Sequence, residues 1–85
     1  MFDNASLLFS NFFIVKFNNA SFKGAELSEV RAENASFTNA NFENAKLEQA
    51  SFKEANLRGA NFTNANLNCT DFTNANLKDA NFEGT

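Results

Sequence analysis

The chain has no histidine, tryptophan, tyrosine or proline, and a single cysteine among its 85 residues. Each gap excludes something. Without histidine the usual general base at neutral pH is missing. One cysteine, Cys69, leaves no intramolecular disulfide to form, which fits a reducing compartment. No phosphate-binding loop or dinucleotide fingerprint occurs, and no closely spaced set of metal ligands does either. No cofactor or metal is therefore expected. Long apolar runs are absent, so no segment approaches a membrane-spanning helix. The short runs Leu7-Leu8-Phe9 and Phe12-Phe13-Ile14-Val15 lack a preceding basic stretch, and Asp3 stands in its place. They do not read as a signal peptide, and a cytoplasmic location is expected. The net charge of −3 is mixed in sign along the chain. That is no footprint for nucleic acid.

Against these gaps stand twelve phenylalanines. Stepping by five from Phe2 to Phe82 meets Phe or Leu at sixteen of seventeen positions, Ala32 being the exception. Stepping by five from Ala5 to Thr85 meets twelve alanines in seventeen positions, the others being Ser, Thr or Val. One inward class is large and the other small. The three remaining positions of each module are mostly polar. The register never slips, so residues 1–85 form one domain with no linker.

A period of five is neither helical nor that of a strand. Each module must contain a bend. All three glycines, Gly24, Gly59 and Gly84, and many asparagines fall two residues after the large position. Both residue types tolerate the positive φ that a tight turn asks for. Glu29, Gln49, Glu54, Cys69 and Asp79 share that slot, and a different turn is expected there.

Four modules per circuit would stack residues twenty apart at about 4.8 Å. Phe2, Phe22, Phe42, Phe62 and Phe82 then form one uniform column, and Leu7, Leu27, Leu47 and Leu67 another. At this spacing Asp3/Lys23, Lys23/Glu43, Glu26/Lys46 and Glu33/Lys53 are opposite pairs, with only Arg58/Lys78 alike. Spacings of fifteen and twenty-five balance less well. The missing proline now has a reason, since stacked coils use most backbone N–H groups and proline has none to give.

The repeated A-N-F/L-x-x module, clearest in Ala40-Asn41-Phe42-Glu43-Asn44 and Ala65-Asn66-Leu67-Asn68-Cys69, resembles the pentapeptide-repeat family over the whole chain. The resemblance implies an all-β fold: a right-handed quadrilateral parallel β-helix of about four coils of 20 residues, with Phe, Leu and Ala inside and polar residues on four flat sides. Three departures from the pattern stand out. Ala32 leaves a gap in the large column, and Val30 in the adjoining small slot returns part of the volume. Residues 1–17 make an atypical first coil or cap, because Leu8, Phe9, Phe13 and Ile14 occupy outward positions on two adjacent sides. That apolar surface is read either as a cap over the end of the core or as a contact site. Lastly, the pattern runs in phase to Phe82, Gly84 and Thr85, where an uncapped coil invites end-to-end association, such as a homodimer, or continuation of a longer solenoid.

The expected function is a non-catalytic structural or protein-interaction module, with an unknown protein partner and neither nucleic acid nor membrane as ligand. Carboxylates face outward and do not converge on a cleft. Some members of the family mimic DNA and inhibit or protect DNA gyrase; that alternative is implied by the resemblance alone.

Overall fold

The computed structural model describes residues 1–85. The chain winds through four stacked coils, residues 2–21, 22–41, 42–61 and 62–81, and residues 82–85 begin a fifth. Parallel bridges join residues twenty apart, from Ser6 with Glu26 through Asn61 with Asn81. Each coil has four sides. The large residues Phe2, Leu7, Phe12 and Phe17 open the first, second, third and fourth sides in turn. The block measures 25 × 25 × 24 Å.

A single module shows why the sequence folds this way. The Asn41 N–H donates to the Ala20 carbonyl of the coil before it, at 2.9 Å. Those of Phe42 and Asn44 donate to Asn61 and Thr63 of the coil after it, at 2.7 and 2.9 Å. The Ala45 N–H closes the corner on the Phe42 carbonyl at 3.0 Å. One donor is left, and the Glu43 N–H gives it to Oδ1 of Asn41 at 2.9 Å. All five backbone donors are thus satisfied, as an ordered chain requires.

The last of these bonds gives the asparagine before each large residue a structural purpose. Asn11, Asn56, Asn61, Asn66, Asn76 and Asn81 accept the N–H two residues on in the same way, and so does Asp71. The column Asn41, Asn61, Asn81 is therefore part of the scaffold rather than a merely solvated row. At Ser21 and Ser36, where serine replaces asparagine, the coil below supplies the acceptor. Asp3 Oδ1 takes both the Ser21 hydroxyl and the Lys23 N–H, and Asn18 Oδ1 takes the Ser36 hydroxyl and the Thr38 N–H. The Ser21 hydroxyl, with help from the Lys23 N–H, holds the Asp3 carboxyl below its ordinary range. The Thr73 hydroxyl and N–H do the same for Asp71.

The expectation of a second turn type fails. Every fifth residue from Asn4 to Gly84 has φ between 58° and 73°, including Glu29, Gln49, Glu54, Cys69 and Asp79. The corner is uniform because the ladder on either side fixes it. The inter-coil bonds of a non-glycine corner outweigh its local cost of about 1–2 kcal/mol.

The core runs from Ala20 to Ala65 and contains no polar residue. In the first-side column the rings of Phe2, Phe22, Phe42, Phe62 and Phe82 stack at 5.0–5.1 Å and within 10° of parallel. Neighbouring columns meet edge to face, as Phe17 and Phe22 do at 5.5 Å. Offset stacks and edge-to-face contacts are the arrangements aromatic quadrupoles favour. Where Ala32 removes a ring, Phe22 and Phe37 pack edge to face at 5.9 Å, and Val30 is buried beside them.

Two of the expected charge pairs form, Lys23–Glu43 at 3.0 Å and Lys46–Glu26 at 4.0 Å. Both are exposed enough to be worth about 1 kcal/mol or less. Asp3 meets the backbone of Lys23 instead of its ammonium, and Glu33 lies 4.0 Å from Arg31 instead of pairing with Lys53. Glu33 is also the misfit in the Asp3 and Asn18 pattern. Its Oε1 and the Ser51 hydroxyl are buried and unpartnered.

Candidate interaction surface

The first coil keeps to the solenoid path. The N–H groups of Phe2, Leu7, Phe12 and Phe17 donate to the carbonyls of Ser21, Glu26, Arg31 and Ser36 at 2.6–2.8 Å. Their side chains remain only partly buried against the core. Leu8, Phe9, Phe13 and Ile14 project outward from this ring, 44%, 67%, 44% and 75% exposed. Leu8 lies on the second side and Phe13 on the third. Phe9 sits on the corner between them, and Ile14 on the next corner. The four residues form a convex apolar ridge around two sides of the first coil.

Phe13 is held in place. Its N–H donates to Asn11 Oδ1 at 3.0 Å, and the Arg31 guanidinium stands 5.2 Å from its ring centre. At an exposed site that contact contributes roughly 0.5–1 kcal/mol. Sequence reading found the ridge and missed Arg31, because Phe13 and Arg31 are eighteen residues apart and a spacing of twenty does not pair them.

Phe9 and Ile14 are held against local preference. Both take the left-handed corner conformation, with φ 62° and 58°, which a β-branched side chain resists most. Their ladder bonds are long, 3.3 Å from Phe9 to Ser28 and 3.4 Å from Ile14 to Glu33. At the corresponding corners of a central coil, the Gln49 bond to Asn68 and the Glu54 bond to Thr73 are both 2.9 Å.

The other sequence-flagged residues lie at the far end. The Phe82 ring stacks on Phe62 at 5.1 Å. Gly84 has φ 73°, and Thr85 returns its N–H and its hydroxyl to the Phe82 carbonyl. The structure does not bring these three near the ridge. Cys69 is exposed, on the corner column that begins with Phe9. No pocket indents the surface, and three or more possible metal ligands come together nowhere. No helix is long and apolar enough to cross a membrane.

Two family models match, one for pentapeptide repeats over residues 2–56 and one for a pentapeptide repeat region over residues 35–85. The chain belongs to the pentapeptide-repeat family. This pentapeptide-repeat chain is similar in structure to a pentapeptide repeat protein of the Arabidopsis thaliana thylakoid lumen, with TM-score 0.87 and 33% identity. It covers 93% of its own length and 59% of that protein. A pentapeptide repeat protein of Nostoc PCC 7120 gives TM-score 0.84 at 29% identity, over 86% and 60% of the two chains. Rfr23 of the cyanobacterium Cyanothece 51142 gives 0.82 at 28% identity, over 93% and 57%. The fold is accordingly the right-handed quadrilateral β-helix of these proteins. The chain spans about three fifths of the length of each. No curated protein matches it in sequence.

Proposed function

We propose that this solenoid is a non-catalytic interaction module whose contact surface is the ridge of Leu8, Phe9, Phe13 and Ile14. The carrying observation is a coincidence of two costs at one place. The two most exposed side chains of the ridge, Phe9 and Ile14, stand at the two corners whose residues least suit a left-handed backbone. Asparagine at either corner would relieve both costs, and it occupies many of the other corners. Strain and exposed apolar area retained together fit a surface kept for binding. The rigid columns hold that surface at fixed spacing.

A photo-crosslinking side chain at position 8 tests this, with one at position 38 on the fourth side as control. Adducts to a partner from position 8 and none from position 38 are expected. Equal adducts, or none from position 8, would overturn the reading. The proposal keeps the cytoplasmic location expected from sequence; cell fractionation checks it against the lumenal setting of the Arabidopsis neighbour. The gyrase-decoy alternative gains nothing from a block as tall as it is wide, with Lys16, Arg58 and Lys78 on its fourth side. A supercoiling assay addresses it, with no inhibition expected at micromolar protein.

A further inference from the structure

Four outward columns begin with the ridge residues and continue through residues 28, 29, 33 and 34, then 48, 49, 53 and 54. They contain Glu29, Glu33, Glu48 and Glu54 against one cation, Lys53. Glu33 is taken up by Arg31 at 4.0 Å. Glu29, Glu48 and Glu54 are exposed and lie in no ion pair, and neither does Lys53. In these columns unpaired carboxylates thus outnumber unpaired cations three to one, while Arg31 and Lys46 on the same two sides stand in pairs with Glu33 and Glu26. Glu29 is one coil above Phe9, Glu48 two coils above Leu8, and Glu54 two coils above Ile14.

Shape narrows the occupant further. The ridge bends around a corner, so a straight rod laid against it meets only one side. A second copy fits poorly. This molecule has no pocket to receive the ridge. Its most basic side, bearing Lys16, Arg58 and Lys78, has no exposed large apolar residue to set against Phe9 and Ile14.

Resting on the ridge as the contact surface, we propose that its occupant is a flexible cationic segment of a partner protein. The segment wraps the corner with large apolar side chains on the ridge, and its Lys or Arg residues meet Glu29, Glu48 and Glu54. Complementary charge of this kind steers encounter and selects among partners more than it adds affinity.

The test is selection of a random twelve-residue peptide library displayed on phage against the whole chain. Peptides that also bind the Phe9→Asn/Phe13→Ser variant are removed. The survivors are expected to be net positive, with at least two large apolar residues. They should bind the Glu29→Gln/Glu48→Gln/Glu54→Gln variant about tenfold more weakly, and wild type more weakly at 0.5 M than at 0.05 M salt. Unchanged melting of the glutamine variant, whose three sites are exposed, assigns the loss to binding. Neutral or acidic survivors, or binding indifferent to the glutamine changes, overturn the charge assignment and leave the ridge standing. A library from which nothing distinguishes wild type from the Phe9→Asn/Phe13→Ser variant overturns both. A dimer in sedimentation that dissociates with Phe9→Asn/Phe13→Ser would replace the peptide by a second copy.

Discussion

Ile14 is the least comfortable residue in the chain. A β-branched side chain at φ 58°, 75% exposed, contributes neither conformational ease nor burial. Ile14→Asn should therefore stabilise the fold by about 1 kcal/mol, and Phe9→Asn similarly. Each should raise the melting temperature by about 4–8 °C while weakening partner binding, a trade familiar wherever function occupies a strained position. Unchanged melting of both variants would remove the strain argument. Glu33 makes a second case. It is one methylene too long for the place that Asp3 and Asn18 hold elsewhere, so the Ser51 hydroxyl goes without a partner. The Lys53 N–H has no acceptor in the ladder either. Glu33→Asp should recreate the Asp3 arrangement and stabilise by about 1 kcal/mol, read as a higher denaturant midpoint with unchanged slope. Asp3 and Asp71 supply a pH dependence. Both carboxyls are depressed in the fold by bonds from Ser21 and Thr73. Their contribution is fully present above the unfolded value near 3.8 and is lost as pH falls through the lower folded value. Asp3→Asn/Asp71→Asn should leave stability at pH 7 nearly unchanged and flatten its decline below about pH 4, because asparagine already fills the equivalent slots at Asn18 and Asn61.

At the scale of one coil, stability comes from two devices that act together: the inward columns and the side-chain acceptor that stands before many of the large residues. Phe42 touches rings above, below and beside it. Phe42→Ala should cost about 3–5 kcal/mol and Phe42→Leu under about 1.5 kcal/mol, since leucine serves the neighbouring column. Chemical denaturation of the pair checks the ratio. The inward columns, the four-sided coil and the ridge were all legible in the sequence, because alternation of large and small residues at a fixed step reports burial directly. Two features of the coil were not. The uniform corner was hidden because glutamate, glutamine and cysteine do not favour a left-handed backbone, and the ladder between coils, with the bond that closes each corner, holds them there. The asparagine acceptor was hidden because a polar residue pointing outward looks the same in sequence whether it faces solvent or folds back onto a backbone N–H. Charge was half legible. Lys23 and Lys46 found the partners that spacing assigned, whereas Glu33 turned to a residue on its own coil.

The whole molecule is a one-dimensional stack in which each coil touches only its neighbours, so cooperativity should grade along the axis. Amide exchange should be slowest around Phe42, Asn44 and Leu47 and fastest in the first and last coils. Deleting residues 42–61 removes one circuit and leaves every column in line. The product should fold with a denaturant slope lower by about a quarter. Deleting residues 42–56 preserves inside and outside but rotates the remaining columns by one side, and should destabilise far more. Equal effects of the two deletions on the denaturation midpoint would contradict the stacking of residues twenty apart. The uniform corner carries a practical consequence. Because the backbone takes one shape at every fifth residue, whatever a given side chain costs there, moving twenty residues along the chain is a storey's lift with no change of floor plan. A graft of Leu, Phe, Phe and Ile at Ser28, Glu29, Glu33 and Asn34 would therefore reproduce the whole binding outline one level up, making the protein a shelf on which the same object can be set at chosen heights.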